Sequence, residues 1–316
     1  MTDGRLGMIN QCRGLATVLS TPAVEKIIEL SAPWCWLPPA ITPARLSVLA
    51  KTGDRLSPPW PDLLIGTGRK SVAPLLAVKR ASGGRSFCVQ VQNPDVALEK
   101  FDLVIAPEHD QLRGDNVLST LGSMHGVTAA VLDDARALFA DAVAVLPRPL
   151  IAVLLGGNNA VYRMDENLIR QLADDLATLA GVNGCGLAIT ASPRTPRDAI
   201  TVITKRLTNE LESAKAVFWD GAGANPYLGY LAHADAILVT ADSVNMVSEA
   251  AATGKPVHVI DLPGGSDKFR RFHTAMVAAG ITRPFTGAIE HWSYVIPDDT
   301  ARAAAEIRRR MSQRDR

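Results

Sequence analysis

The chain has 316 residues, 47% of them apolar and 21% charged, and a formal net charge of +1. It is globular in composition and too long for one ordinary core, and its charge balance gives no general attraction to nucleic acid or an anionic surface. With aromatics at 5%, Ala, Val, Leu and Ile must fill the interior, as they do between helices and buried parallel strands.

In chain order, the first half predicts a helix over Gly7–Leu19 and a strand over Lys26–Leu30. A strand follows at Asp62–Ile65, a helix at Lys70–Ala81, strands at Ser86–Val91 and Asp102–Ile105, and a helix over Thr128–Val145. Pro147 and Pro149 then stop any helix and stiffen the chain, so the domain boundary is expected there. Beyond it, strands are expected at Leu150–Leu155, Gly186–Thr190, Ala216–Trp219, Ala236–Val239 and Val257–Ile260. Helices are expected over Asp165–Ala180, Pro196–Leu211, Pro226–Ala232, Ser243–Ala252 and Lys268–Ala278. Arg283–Pro297 reads as irregular, and a last helix covers Thr300–Met311.

Continuous apolar strands alternating with amphipathic helices point to parallel sheets covered on both faces. The expected class is therefore α/β, with two tandem Rossmann-like doubly wound domains over 1–147 and 148–295. A C-terminal helix, 296–316, packs back on the first domain in this reading.

The four cysteines, Cys12, Cys35, Cys88 and Cys185, share no CxxC spacing and have no histidine pair nearby. That pattern argues against zinc or a disulfide framework, and no metal is expected. The opening MTDGRLGMINQ has no apolar signal core, and no stretch approaches the ~20 apolar residues of a membrane helix. A soluble, cytoplasmic protein is expected. The basic run Arg308, Arg309, Arg310, Arg314 and Arg316 could touch anionic lipid peripherally, although a solvated helix end is the simpler reading.

In open parallel sheets ligands bind beyond the carboxyl ends of strands, so the loops there carry the candidate chemistry. Gly156-Gly157-Asn158 follows Leu150–Leu155; paired glycines let amides approach a phosphate, and asparagine adds hydrogen bonds. A plain tight turn is the alternative. Thr240–Glu249 leaves a strand and enters a helix with the apolar stripe Val244, Val247 and Ala251. Asp242 or Ser243 caps it, and the bare amides at Ser243, Val244 and Asn245 suit an anion. Glu249, further in, could accept hydrogen bonds from ribose hydroxyls; otherwise it is a surface charge. Ser192 and Arg194 follow Gly186–Thr190, and the guanidinium could neutralise a diphosphate. Asn225 opens a short helix in which Tyr227 could lie beside a base or pack in the core. All four segments leave one sheet.

In the first half, Gly66-Thr67-Gly68-Arg69-Lys70-Ser71 imitates a P-loop, but Arg69 and Leu64 stand where Walker A requires glycine. Gly221-Ala222-Gly223 lacks the third glycine of GxGxxG, so no nicotinamide cofactor is expected. Glu108, His109 and Asp110 follow Asp102–Ile105, with Asn116 and His125 nearby in sequence. Asp110 or His109 could deprotonate an acceptor hydroxyl, or the group is a solvated loop.

Taken in order, these segments resemble the bacterial relatives of the plant mitochondrial-fission family named for an elongated-mitochondria phenotype. The resemblance runs from Asp3-Gly4-Arg5 and Asn10-Gln11 through Gly66–Arg69, Gln92-Asn93-Pro94, Ala106–Asp110 and Gly114–Val117. It continues in Gly156–Asn158, Ser192–Pro196, Asn225–Tyr227, Thr240–Ser243, Glu249-Ala250, Thr253–Val257, Trp292, Tyr294 and Pro297–Thr300. It implies a glycosyltransferase-B-like fold, with Ser243–Glu249 as a nucleotide-sugar donor helix and Gly66–Arg69 as an acceptor-side loop with Glu108 and Asn116. No cofactor is implied, since the nucleotide-sugar would be a substrate, and the acceptor and oligomeric state stay open. The resemblance also carries two alternatives. One is a non-catalytic scaffold that recruits a protein partner. The other is a nucleotide-sugar epimerase or hydrolase, against which stands the lack of a Tyr-x-x-x-Lys pair after Tyr162 or Tyr227.

Three departures from the family pattern are visible. Only Met1 and Thr2 precede the motif at Asp3, where relatives have a first strand, so either translation starts upstream or an edge of the sheet is left bare. Asn245 and Asn158-Asn159 stand where serine is common; all remain hydrogen-bonding residues.

Overall fold

In the computed structural model, residues 1–210, 215–219 and 221–314 are described. Leu211 of the helix expected over Pro196–Leu211 and Arg316 of the basic run lie outside them. Contacts divide the chain into one unit of Met1–Gly126 with Asp298–Arg316, and a second of Val127–Pro297.

The first unit contains α1 (Leu6–Leu19), β1 (Leu63–Thr67), α2 (Val72–Ala81), β2 (Phe87–Val91), β3 (Leu103–Pro107) and β4 (Val117–Thr120). Its sheet runs β1-β2-β3-β4, all parallel. Strand periodicity sends Phe87, Val89, Val91, Leu103 and Ile105 to one face, against Leu15 and Leu19 of α1. Cys88, Val104 and Ala106 go to the other, against Val72, Leu75 and Val78 of α2. The C-terminal helix, Asp299–Arg314, seats Ala303, Ala304 and Ile307 in the first of these cores. Its entry is fixed by Asp299, whose Oδ2 accepts from the amides of Leu121 at 2.8 Å and Gly122 at 3.1 Å.

That helix also accounts for the basic run. Arg308 donates to the Val18 carbonyl at 2.8 Å, Arg309 and Arg310 pair with Glu306, and Arg310 reaches the Asp115 carbonyl at 2.7 Å. Arg314 lies 3.9 Å from Asp102. These guanidiniums pin the helix to its own unit.

Lys26–Leu30 forms no strand, contrary to expectation. Ile27 bridges Thr2 in parallel and Leu30 bridges Leu49 antiparallel. Thr2 donates to the Lys26 carbonyl at 3.0 Å and accepts from Ile28 at 2.9 Å. Met1 and Thr2 sit between this segment and β1. The same two residues cover part of the edge of β1: the Met1 ammonium donates to the Ile65 carbonyl at 2.7 Å, and Thr67 donates to Met1 at 3.1 Å. β4 goes unread in the sequence because its four residues end in Ser-Thr and form no apolar run.

The second unit comprises α3 (Ala129–Leu138), α4 (Ala140–Val143), β5 (Leu150–Leu155), α5 (Glu166–Val182), β6 (Gly186–Ala191), α6 (Arg197–Glu210) and β7 (Ala216–Phe218). It continues with α7 (Tyr227–His233), β8 (Ala236–Thr240), α8 (Val244–Ala251), β9 (Val257–Ile260), α9 (Asp267–Ala278) and β10 (Thr282–Pro284). Its parallel sheet has the order β10-β9-β8-β5-β6-β7. Asp165 caps α5 by accepting from Leu168 at 2.9 Å, and Ile169, Leu172, Ala173 and Leu176 form its buried stripe. β10 overlaps the start of the stretch read as irregular, and its Pro284 is tolerated because the strand lies at the sheet edge.

The unit boundary thus falls at Gly126/Val127, not at Pro147. α3 packs on α7: a Cβ on Gly229 would lie 2.5 Å from Phe139, and Arg136 donates to the Ala232 carbonyl at 3.1 Å. Helix–helix packing, invisible to a proline count, assigns residues 127–146 to the second unit. The expected class, two tandem α/β units with parallel sheets, is what the structure has.

Candidate functional site

β6, β5 and β8 are neighbours in the second sheet, so the loops after them emerge side by side. Arg194, Gly156-Gly157 and Ser243 therefore share one rim. At its centre lies a residue that sequence reasoning took only as a helix cap, Asp242. Its fully buried carboxylate accepts from the Gly157 amide at 3.0 Å, Arg194 Nη2 at 2.7 Å and the Thr240 hydroxyl at 2.7 Å. A carboxylate closing a buried apolar strand was the signal that could have found it.

The glycines answer to this packing. A Cβ on Gly156 would stand 2.0 Å from Asp242 Oδ1, and one on Gly157 2.1 Å from the Arg194 carbonyl oxygen. Their amides are spent inside the protein. Gly156 donates to Thr240 Oγ1 at 2.7 Å, Gly157 to Asp242, and Asn158 to the Arg194 carbonyl at 3.2 Å. The expected amide cradle for phosphate is thus already filled at these three positions. Asn158 Oδ1 accepts from Met164 at 2.8 Å, and Asn159, read from sequence as a further hydrogen-bonding residue, donates its carboxamide to the Asp242 carbonyl at 3.3 Å.

Ser243, not Asp242, is the N-cap of α8, accepting from Met246 at 3.3 Å. Val244 and Asn245 occupy the first two helical positions of α8. Arg194 stands beside them; its side chain is 42% exposed, which leaves guanidinium donors for a ligand while one contact anchors it. Ser192 Oγ accepts from the Arg194 amide at 3.2 Å and shapes that turn.

Glu249 is buried one turn and a half into α8, and Tyr227 Oη donates to its Oε2 at 2.6 Å. Burial and the neighbouring carboxylate push the Tyr227 phenol well above its usual pKa, so it stays a donor. Read from sequence, these two residues have separate roles; the structure couples them. Asn225 caps the turn by accepting from the Tyr227 amide at 3.0 Å.

In the first unit, Gly66–Arg69 ends and leaves β1 and Glu108–Asp110 follows β3, both at the carboxyl end of the sheet and two strands apart. Gly68 has φ +80°, and the Gly66 position faces Ser71 Oγ and Leu75 so closely that a Cβ would lie 2.9 Å from each. Thr67 Oγ1 meets Cys12 Sγ at 2.9 Å, and Arg69 is exposed, 3.5 Å from Asp95. Glu108 is exposed and His109 buried, with Asp110 between these extremes. Asn116 is not with them. It precedes β4 at the amino end of the parallel sheet, where its Nδ2 donates to the carbonyls of Leu98 at 2.7 Å and Phe101 at 3.0 Å. Sequence proximity misled because β4 runs the whole sheet depth between the two places.

His125 is a buried element of the same unit, exchanging backbone hydrogen bonds of 3.2 Å with the Thr300 hydroxyl. Burial holds its imidazole below the ordinary pKa, with Asp299 opposing. A neutral buried imidazole contributes stability above its unfolded value of 6.5 that is lost as pH falls through the lower folded value. Urea midpoints for the first unit should therefore fall between pH 7.5 and pH 5 by more than ionisable surface groups alone produce, and His125→Asn should flatten that dependence. Equal slopes in both proteins would remove His125 from the account. Among the described residues, no group of three or more His, Cys, Asp or Glu is placed to hold a metal ion. No helix there is long and apolar enough to cross a membrane.

The family described as Mitochondrial fission ELM1 matches residues 6–311, nearly the whole chain. The chain belongs to that family. An ELM1-family relative, the mitochondrial fission protein ELM1 of Arabidopsis thaliana, is 35% identical over 280 residues, 80% of this chain and 65% of that protein. The chain thus spans under two thirds of that relative's length. Among solved structures, MurG of Acinetobacter baumannii is similar at TM-score 0.49 and 15% identity, covering 99% of this chain and 91% of MurG. UDP-GlcNAc 2-epimerase from Neisseria meningitidis, bound to UDP-GlcNAc, is similar at TM-score 0.49 and 14% identity over 79% of this chain and 68% of the epimerase. The ELM1-family segments read from the sequence at Gly156, Ser192, Asn225 and Ser243 all fall in the second unit, and Gly156, Ser192 and Ser243 lie together on its rim.

Proposed function

We propose that the second unit binds the diphosphate of a nucleotide-sugar and that the chain transfers the sugar to an acceptor without a metal ion. The observation that carries this reading is Arg194, anchored by the buried Asp242 beside the start of α8. The start of α8 at Ser243, Val244 and Asn245 takes phosphate oxygens, and the exposed side of Arg194 balances the charge that develops on the leaving diphosphate. Glu249, held by Tyr227, accepts from the ribose hydroxyls. Gly156, Gly157 and Asn158 support the rim by holding Asp242 and Arg194 in register. The proton of the acceptor hydroxyl is assigned to Asp110 or His109, on the rim of the first sheet.

Titration calorimetry against sugar nucleotides of uridine, guanosine, adenosine and thymidine tests this. One donor should bind, Glu249→Ala should weaken it by roughly ten- to a hundredfold, and Tyr227→Phe by several-fold, because loss of one charge-assisted hydrogen bond is worth about 1.5–3 kcal/mol. No binding across the panel would defeat the proposal. A second reading, a scaffold that recruits a protein, is favoured by the internal use of the Gly156, Gly157 and Asn158 amides. It requires partner capture that survives Glu249→Ala.

A further inference from the structure

From Leu30 to Ala44 the chain runs fifteen residues without a charged side chain. The charge-free run from Leu150 to Leu155 is a strand buried to 0–1%. The earlier run is the opposite case: Trp36 is 78% and Ile41 60% exposed, and Ala32, Pro33, Pro38 and Ala40 are exposed with them. Large apolar side chains turned to water in a contiguous stretch mark a contact surface.

The exposure is built into the loop's bracing. Its base is closed by the Leu30–Leu49 bridge, by Ser31 donating through amide and hydroxyl to the Val48 carbonyl at 2.8 and 3.0 Å, and by Ala50 donating to Glu29 at 2.9 Å. Short 3-10 turns at Trp34–Trp36 and Pro39–Ile41 fix its outer part, and Thr42 Oγ1 donates to Pro38 at 3.0 Å. Thr42 and Val48 are buried beneath while Trp36 and Ile41 face out. Four prolines, Pro33, Pro38, Pro39 and Pro43, restrict the chain further.

Charge decides among occupants. Between Glu29 and Asp54 there is no carboxylate, and the charged side chains are Arg45 and Lys51. Both are exposed, and neither has an ion pair among the described residues. Tryptophan with an aliphatic neighbour, followed by two cations and with no carboxylate among them, is a composition that seats at a headgroup boundary. We infer that the loop Ala32–Ile41, with Arg45 and Lys51, is a peripheral docking element for an anionic phospholipid surface. It is independent of the nucleotide-sugar reading and replaces the arginine-rich C-terminal run as the lipid-facing candidate, since that run is tied to its own unit.

Sedimentation of the full chain with vesicles of phosphatidylcholine, or of phosphatidylcholine mixed with phosphatidylserine, tests it. The chain should pellet with the mixed vesicles. Trp36→Ser with Ile41→Ser should cut partitioning at least about tenfold, as expected for two large apolar side chains withheld from the interface. Arg45→Gln with Lys51→Gln should cut it several-fold and flatten its salt dependence. All four side chains are exposed, so unchanged thermal unfolding should certify the fold. Phosphatidylcholine brominated in its chains, mixed with phosphatidylserine, should also quench part of the wild-type tryptophan emission, a readout that needs no variant. Absence of pelleting and quenching would overturn the inference. So would full binding by the Trp36/Ile41 variant, or a lipid-free dimer that this variant abolishes, which would assign the surface to a second copy.

Discussion

Asp242→Ala should lower the unfolding free energy of the second unit by about 3–4 kcal/mol and weaken nucleotide binding more than tenfold. The carboxylate is wholly buried and satisfies Gly157, Thr240 and Arg194 together. Truncation leaves the Gly157 amide and the Thr240 hydroxyl without their partner away from water, at about 1–3 kcal/mol for each group. Arg194 contributes less, because its half-exposed guanidinium can return to solvent. The binding loss has a separate cause: Arg194 without its anchor samples many rotamers, and a ligand must then order it. Asp242→Asn keeps the volume and one acceptor, so it should lose about half as much stability. Urea midpoints at constant slope give the first number and calorimetry the second. A stable Asp242→Ala variant with native affinity would show that the rim is organised by something else.

Ile307→Ala should cost the first unit about 2–5 kcal/mol, the range for emptying a fully buried aliphatic site. Ile307 is 0% exposed, in one cluster with Leu15, Phe87 and Leu103, although it lies near the chain terminus. The two units have separate cores, so the loss should appear in one calorimetric transition and leave the other in place. Arg308→Gln on the exposed side should change the same transition by only about 0.5 kcal/mol or less, since its 2.8 Å bond to Val18 is open to water. A drop of similar size in both transitions would mean that the helix stabilises more than its own unit.

Much of the scaffold was legible because its signals are local. The runs Leu150–Leu155, Gly186–Thr190 and Ala236–Val239 are apolar on both faces, as buried parallel strands must be, and all three are strands in the structure. The start of α8 was legible as a cap at Asp242 or Ser243, by side-chain chemistry that acts over three residues, and Ser243 is that cap. Lys26–Leu30 failed because its pairing with Thr2 and with Leu49 is confined to single bridges, which make no ladder. Pro147 suggested a boundary that the packing of Phe139 on Gly229 moved upstream.

What the amino-acid order determined by itself was the α/β alternation, the parallel sheets and the set of loops that a strand's carboxyl end must present. Only the tertiary structure decided which groups in those loops remain available. Asp242 takes the Gly157 amide from 85 residues away, and Tyr227 reaches Glu249 across 22. Asn116 is removed from His109 by the depth of the sheet. A hydrogen bond depends on distances of about 3 Å between atoms, and the chain sets such distances between remote residues only when its layers close.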